Sequence, residues 1–186
     1  MSNLLQYYKD VVRPLLILKY NYCKVQAVPE IKKVEINIFL NNLSGEDDWR
    51  TALSLKLLML ITGQKAVVRH LGWSAESGRE RRFVFSCGVT LRKKNLYDFL
   101  EYLILVVFPL YFRRYGYPEF SCSSTGVYSF AIKDLGLFYR QNEDVIGFDG
   151  ILQVSIVSNA QSQVECLSLM EAIGLPAKIS NKISNK

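Results

Sequence analysis

The segment GVTLRKKNLYDFLEYL, Gly88 to Leu103, changes its hydrophobic period part-way along. Val89 and Leu91 alternate with Thr90 and Arg92, the period of a strand with one apolar face. Leu96, Phe99, Leu100 and Leu103 then recur at helical spacing. Only Lys93, Lys94 and Asn95 lie between the two patterns. The helix therefore folds straight back from the strand, and Val89 and Leu91 hold the strand against helices. Thr90 and Arg92 face outward. Lys93 and Lys94 sit at the strand-to-helix turn, and Asn95 reads as the helix cap.

IKKVEINIF repeats the alternation, with Val34, Ile36 and Ile38 on one face and Lys33, Glu35 and Asn37 on the other. If both apolar rows pack on helices, both polar rows share one open face. Asn, Thr and Arg side chains there can bond sugar hydroxyls, phosphates and base edges. An ordinary solvated sheet face is the plain alternative.

The rest of the chain divides the same way. Leu4, Tyr8, Val11, Leu15 and Leu18 predict an amphipathic helix, kinked or ended near Pro14. NNLSGEDD reads as a loop with capping residues. WRTALSLKLLMLIT is a helix closed by Gly63. KAVVRH is a short strand, and Leu71 to Arg82 reads as an exposed loop. FVFSCGVTLR is a longer strand, and the helix from Lys94 ends near Pro109. A turn around Ser123 to Gly126 precedes a strand from Val127 to Ile132, and GILQVSIVS is a buried strand. SQVECLSLMEAIGL is a helix closed by Gly174 and Pro176. Strands and helices mix without strict βαβ alternation. The expected class is α+β, a mainly antiparallel sheet with helices packed on one face. Residues 1–177 are expected as a single domain, and the duplicated tail KISNKISNK, 178–186, as a flexible extension.

The expected chemistry is binding. His70 is the only histidine, so no His-centred catalytic unit is in view. No two of the four cysteines fall at CxxC spacing, and free thiols are the simpler reading. No phosphate-loop or dinucleotide motif occurs. Glu46, Asp47 and Asp48 read as a first-turn acidic cluster, and Glu143, Asp144 and Asp149 as loop carboxylates. No cofactor and no metal site is expected. A net charge of +6 favours an anionic partner. No secretory signal or transit peptide pattern opens the chain, and no membrane segment is expected. The longest apolar run, Leu103 to Phe112, is ten residues and contains Pro109.

Several blocks, taken in order, resemble the large-subunit ribosomal protein family L-five. They are YYKDVV, KYNYCKVQAVPEIKKVEIN, ITGQKAVVR, GVTLRKKNLYDFLEYLI, GVYSFAIKD, GFDGILQVSIVSNA and MEAIGLP, from about Leu4 to Pro176. The resemblance implies an antiparallel sheet backed by helices and a structural, non-enzymatic role in the central protuberance. It implies binding to 5S rRNA through Lys33, Asn37, Gln64, Lys65, Thr90 and Arg92. From their place at the adjoining turn, Lys93 and Lys94 can reach phosphate; solvated charges are the plain alternative. The loop before the VTLR strand would face P-site tRNA through Gly72, Trp73, Ser74, Arg79, Arg81 and Arg82. Large-subunit rRNA, neighbouring central-protuberance proteins and a small-subunit head protein across a bridge are the other implied partners.

The chain departs from the family pattern in places. GWSAESGRERR is shorter and less basic than the family's loop, and the duplicated tail is extra. Abundant Tyr, Phe, Ile and Asn point to an organellar ribosome, expected in the mitochondrial matrix, with plastid or bacterial cytoplasm as alternatives. The lack of a presequence pattern fits synthesis inside the organelle. A second reading is a non-ribosomal module that docks a protein or membrane surface through Leu103 to Tyr117; the plain role of that segment is core helix.

Overall fold

A computed structural model describes residues 3–40, 48–74, 81–138 and 150–177. Two helical stretches, α1 (Asn3–Tyr7) and α2 (Arg13–Tyr20), are joined without a break by a wide π-turn, Tyr8–Val12. Strand β1 (Ile31–Leu40) follows, then α3 (Asp48–Thr62), β2 (Val67–Ser74) and β3 (Arg81–Leu91). Helix α4 (Lys93–Tyr102), a second π-turn (Leu103–Val107) and α5 (Phe108–Tyr115) form another continuous helix. Strands β4 (Phe120–Cys122), β5 (Val127–Ile132) and β6 (Gly150–Ser158) and helix α6 (Gln163–Ile173) complete the order.

The strands form one six-stranded sheet in the order β2-β3-β1-β6-β5-β4, and the described pairings are antiparallel. This is the expected α+β class. Long strand β1 pairs with both β3 and β6, so its backbone hydrogen bonds are satisfied on both edges. Val34, Ile36 and Ile38 are fully buried on its helix-covered face. Their partners across β3 are Leu91, Val89 and Cys87, and across β6 Ile156, Val154 and Leu152, all buried. Helix α3 lies on β3 and β1, α4 on β1, and α6 on β4 and β5.

The N-terminal helix departs from its expected face. Tyr8, Val12 and Leu16 are buried, whereas Val11, Leu15 and Leu18 are 45%, 48% and 80% exposed. The cause is the π-turn, in which the Arg13 N–H donates to the Tyr8 carbonyl, five residues back. A wide turn takes an extra residue, so the buried positions advance in fours and the 3.6-residue pattern falls out of phase. Pro14 follows it after the single residue Arg13. Its ring would press on the carbonyl four residues back in a regular helix, and the wide turn makes room.

The same device corrects the expected end near Pro109. The Phe108 N–H donates to the Leu103 carbonyl, and Pro109 enters α5 without ending the helix, which runs on to Tyr115. Among the described residues, Lys93–Tyr115 is long and apolar enough to cross a membrane. One side of it is core: Leu96, Leu100, Leu103, Val107, Phe108 and Tyr111 are buried. Helix α6 keeps its expected ends. The Ser162 hydroxyl accepts from the Glu165 N–H at 3.2 Å, and Gly174 closes it in the left-handed region at φ 101°.

Two further expectations change. Arg92, in extended conformation, precedes the first helical residue, and Asn95 lies inside the first turn of α4. The reversal is made by Lys93 at φ 54°, because strand β3 ends at Leu91 and leaves no loop. At both its described ends the expected loop from Leu71 to Arg82 is strand, and residues 75–80 lie outside the described residues. Leu71, Gly72, Trp73 and Ser74 belong to β2, and Arg81 and Arg82 to β3, with Leu71 paired to Phe83 and Ser74 to Arg81. Backbone pairing extends the strands where side-chain periodicity is weak. Arg79, the acidic residues Glu46, Asp47, Glu143, Asp144 and Asp149, and tail 178–186 lie outside the described residues.

The phase shift is testable by chemical denaturation. Leu16→Ala should cost about 2–5 kcal/mol, the range for a buried leucine. Leu18→Ala should stay within about 0.5 kcal/mol, as an exposed substitution does.

Candidate nucleic-acid interface

The sheet face away from the helices is built from alternate residues of every strand. On β1 these are Lys33, Glu35, Asn37 and Phe39; on β3, Ser86, Gly88 and Thr90. Strand β6 adds Ile151, Gln153, Ser155 and Val157, β5 adds Ser129 and Ala131, and β4 adds Ser121. Strand β2 adds Val67 and Arg69. The face is therefore a field of hydroxyls and amides with few large apolar groups, and the two polar rows do lie side by side: Glu35 pairs with Thr90 and Asn37 with Gly88.

At its centre is Asn37, only 7% exposed, whose Oδ1 has no hydrogen-bond partner. Such a buried acceptor is uncommon, because leaving it unpaired costs about 1–3 kcal/mol. It lies across Gly88. A side chain at Gly88 would collide with Asn37 Oδ1 and stand 3.4 Å from the Arg69 guanidinium carbon. Glycine here is what lets the carboxamide and the guanidinium approach across the strand.

Cations gather at one end. Val34 pairs with Leu91, and Val67 with Gly88. This register brings Lys33, the Gln64–Lys65 turn and the Thr90–Arg92–Lys93–Lys94 stretch to the same edge of the sheet. Lys65, Arg92, Lys93 and Lys94 are exposed, and Thr90 and Gln64 are half-buried. Gln64 is set by the end of α3: its N–H donates to Thr62 Oγ1 at 3.3 Å, after Gly63 at φ 65°. Lys33 is held by Glu35, Nζ to Oε1 2.6 Å, so its charge is partly neutralised. The other expected group, Gly72, Trp73, Ser74, Arg81 and Arg82, lies at the far end of the β2–β3 hairpin, roughly 20 Å away by strand rise.

Arg69 was not anticipated from sequence. VVR carries no motif, and only the pairing of Arg69 with Ser86 and its closeness to Gly88 place it beside Asn37. Two of the thiols are held in the protonated form. Burial pushes Cys87 up to about 11, and burial with the neighbouring Cys166 pushes Cys122 up to about 12. Among the described residues no cluster of His, Cys, Asp or Glu could hold a metal ion. The arrangement suits polyanionic, hydrogen-bonding surfaces.

The Gly88 cradle makes a measurable prediction. Gly88→Ala should cost about 1–3 kcal/mol, as overpacking does, and should shift the Asn37 side-chain amide resonances. In the Asn37→Ala background the same change should cost distinctly less, giving a coupling energy in a double-mutant cycle.

Residues 84–177 match the model of the ribosomal L5P family C-terminus. The chain is 32% identical over 179 residues to large ribosomal subunit protein uL5 of Nitratidesulfovibrio vulgaris (strain DSM 19637 / Miyazaki F), covering 96% of this chain and 99% of that protein. It is 31% identical over 179 residues to large ribosomal subunit protein uL5m of Reclinomonas americana, covering 95% and 98%. Identity to uL5 of Prosthecochloris aestuarii (strain DSM 271 / SK 413) is 28% over 182 residues, covering 97% and 92%. With similarity of this kind along nearly its whole length, the chain belongs to the L5 family of large ribosomal subunit proteins.

Proposed function

We propose that the protein is a structural constituent of the large ribosomal subunit that binds 5S rRNA in the central protuberance through its open sheet face. The observation that carries this reading is Asn37: a buried carboxamide with an unpaired oxygen, set among hydroxyls and between Arg69 and the basic edge. An RNA 2′-hydroxyl or base amino group would supply the missing donor. Arg92, Lys93, Lys94 and Lys65 would meet phosphates at the sheet edge, with Thr90 and Gln64 bonding sugar or base.

Family membership supports the same partner set. Large-subunit rRNA and neighbouring central-protuberance proteins would surround it. The far end of the β2–β3 hairpin, from Gly72 to Arg82, would approach P-site tRNA, and a small-subunit head protein would be met across a bridge. The proposed site of action is the mitochondrial ribosome. The 11 Tyr and 10 Phe residues support that choice over a plastid or bacterial ribosome, and the likeness to uL5m, equalled by that to bacterial uL5, is consistent with it. Sedimentation of the protein with mitochondrial large subunits tests it, and a protein found only in another compartment would overturn it.

Binding to 5S rRNA across a salt series tests the face. Arg92→Ala should cost about 1–3 kcal/mol if its contact is bidentate. It should also lower the salt slope by up to about 0.9 log unit per decade for one lost phosphate contact. Asn37→Ala should weaken binding with no change of slope. Wild-type affinity in both variants would remove this face from the reading.

A further inference from the structure

The open face is not uniform in chemistry. Away from the basic edge it sinks into an open depression of about 330 Å³, within the low end of the range for small-ligand sites. Phe39, Ile151 and Ala131 supply apolar surface, while Gln153, Ser129 and Glu119 supply polar groups. Ser121 also lines it, its hydroxyl hydrogen-bonded to that of Ser129 at 2.8 Å. The depression is continuous with the central site. Gln153 pairs directly with Asn37, and Phe39 is the next residue along the same face of β1, about 7 Å away by strand rise.

We propose that this depression seats a single unstacked nucleobase of the bound RNA. The idea rests on the RNA-binding reading of the sheet face and extends it to a second chemistry on the same face. Among the described residues no Lys, Arg or His lines the depression, and Glu119 does. A phosphate would be repelled there, whereas a carboxylate accepts from the exocyclic amino group of a base. The Gln153 amide has both donors and an acceptor for a base edge. The Phe39 ring offers the aromatic surface on which single-stranded bases stack. An apolar protein side chain would use the apolar surface but leave the Gln153 amide and the Glu119 carboxylate without a partner in the occupant. The face thus divides its work: the cations at the Arg92 edge hold the backbone, and the Phe39–Gln153 depression holds a base.

The two roles differ in salt dependence. A lost stacking contact lowers affinity at every salt concentration, while a lost phosphate contact also lowers the slope. In vitro transcribed 5S rRNA, titrated across a potassium chloride series, should bind Phe39→Ala about 5- to 100-fold more weakly with the wild-type slope. Phe39→Leu, which keeps apolar bulk without the ring, should also bind at least about 5-fold more weakly. Gln153→Ala should weaken binding without changing the slope, whereas Arg92→Ala changes it. Ultraviolet cross-linking of the wild-type complex should join the peptide containing Phe39 to one nucleotide. Folded Phe39 and Gln153 variants that bind like wild type, or that change the slope, would overturn the base site while leaving the phosphate edge intact. So would cross-links that avoid the Phe39 peptide, which also decides the matter if Phe39→Ala fails to fold. Failure of the wild-type protein to bind 5S rRNA at all would overturn the broader reading and this one with it.

Discussion

The pairing of β1 with strands on both its edges is the constraint on which the rest of the structure depends. It satisfies the backbone of a ten-residue strand in the middle of the sheet. It also forces side chains to alternate between a dry face and an open one. Val34, Ile36 and Ile38 take the dry face with no exposed surface. Lys33, Glu35, Asn37 and Phe39 are then left on the other side by geometry alone. A slip of one residue would bury Lys33 and Glu35 among the helices, a change too costly for charged groups. The core therefore holds the open face in register.

That coupling explains why the centre of the face is more closed than its polarity suggests. Asn37 is on the solvent side of the sheet, yet it is buried, because Gly88 opens a shallow trough into which its carboxamide fits, with the Arg69 guanidinium close by. A flat field of hydroxyls would be saturated by water. A recessed carboxamide with an unpaired oxygen is instead a preorganised acceptor, and its unsatisfied state is relieved when a donor arrives. The basic groups stand at the edge, where they remain solvated until a polyanion displaces their counterions.

The helices show how a local device alters a global pattern. Both long helices carry a π-turn that ends one residue short of a proline, at Tyr8–Val12 before Pro14 and at Leu103–Val107 before Pro109. Each wide turn accommodates a ring that would otherwise break the helix, and it rotates the helical residues beyond the proline. In the second helix the buried positions continue through the turn, from Leu100 to Leu103, Val107 and Tyr111. In the first, the leucines that repeat at helical spacing end up outside.

Much of this was legible in the amino-acid sequence. Period-two alternation identified the apolar and polar rows of β1 and β3, and turn residues placed Gly63, Gly126 and Gly174. These features are set by neighbours within a few positions, so a linear reading captures them. The tertiary structure alone decided the rest. Arg69 reaches Asn37 only because β2 pairs with β3, and Phe39 meets Gln153 and Ala131 only because β6 and β5 lie on the other side of β1. Those meetings depend on strand order, which no local pattern encodes. Lys93 takes its left-handed backbone because β3 and α4 are joined without a loop. Local spacing determined which residues lie on the open face; long-range pairing decided which of them stand together.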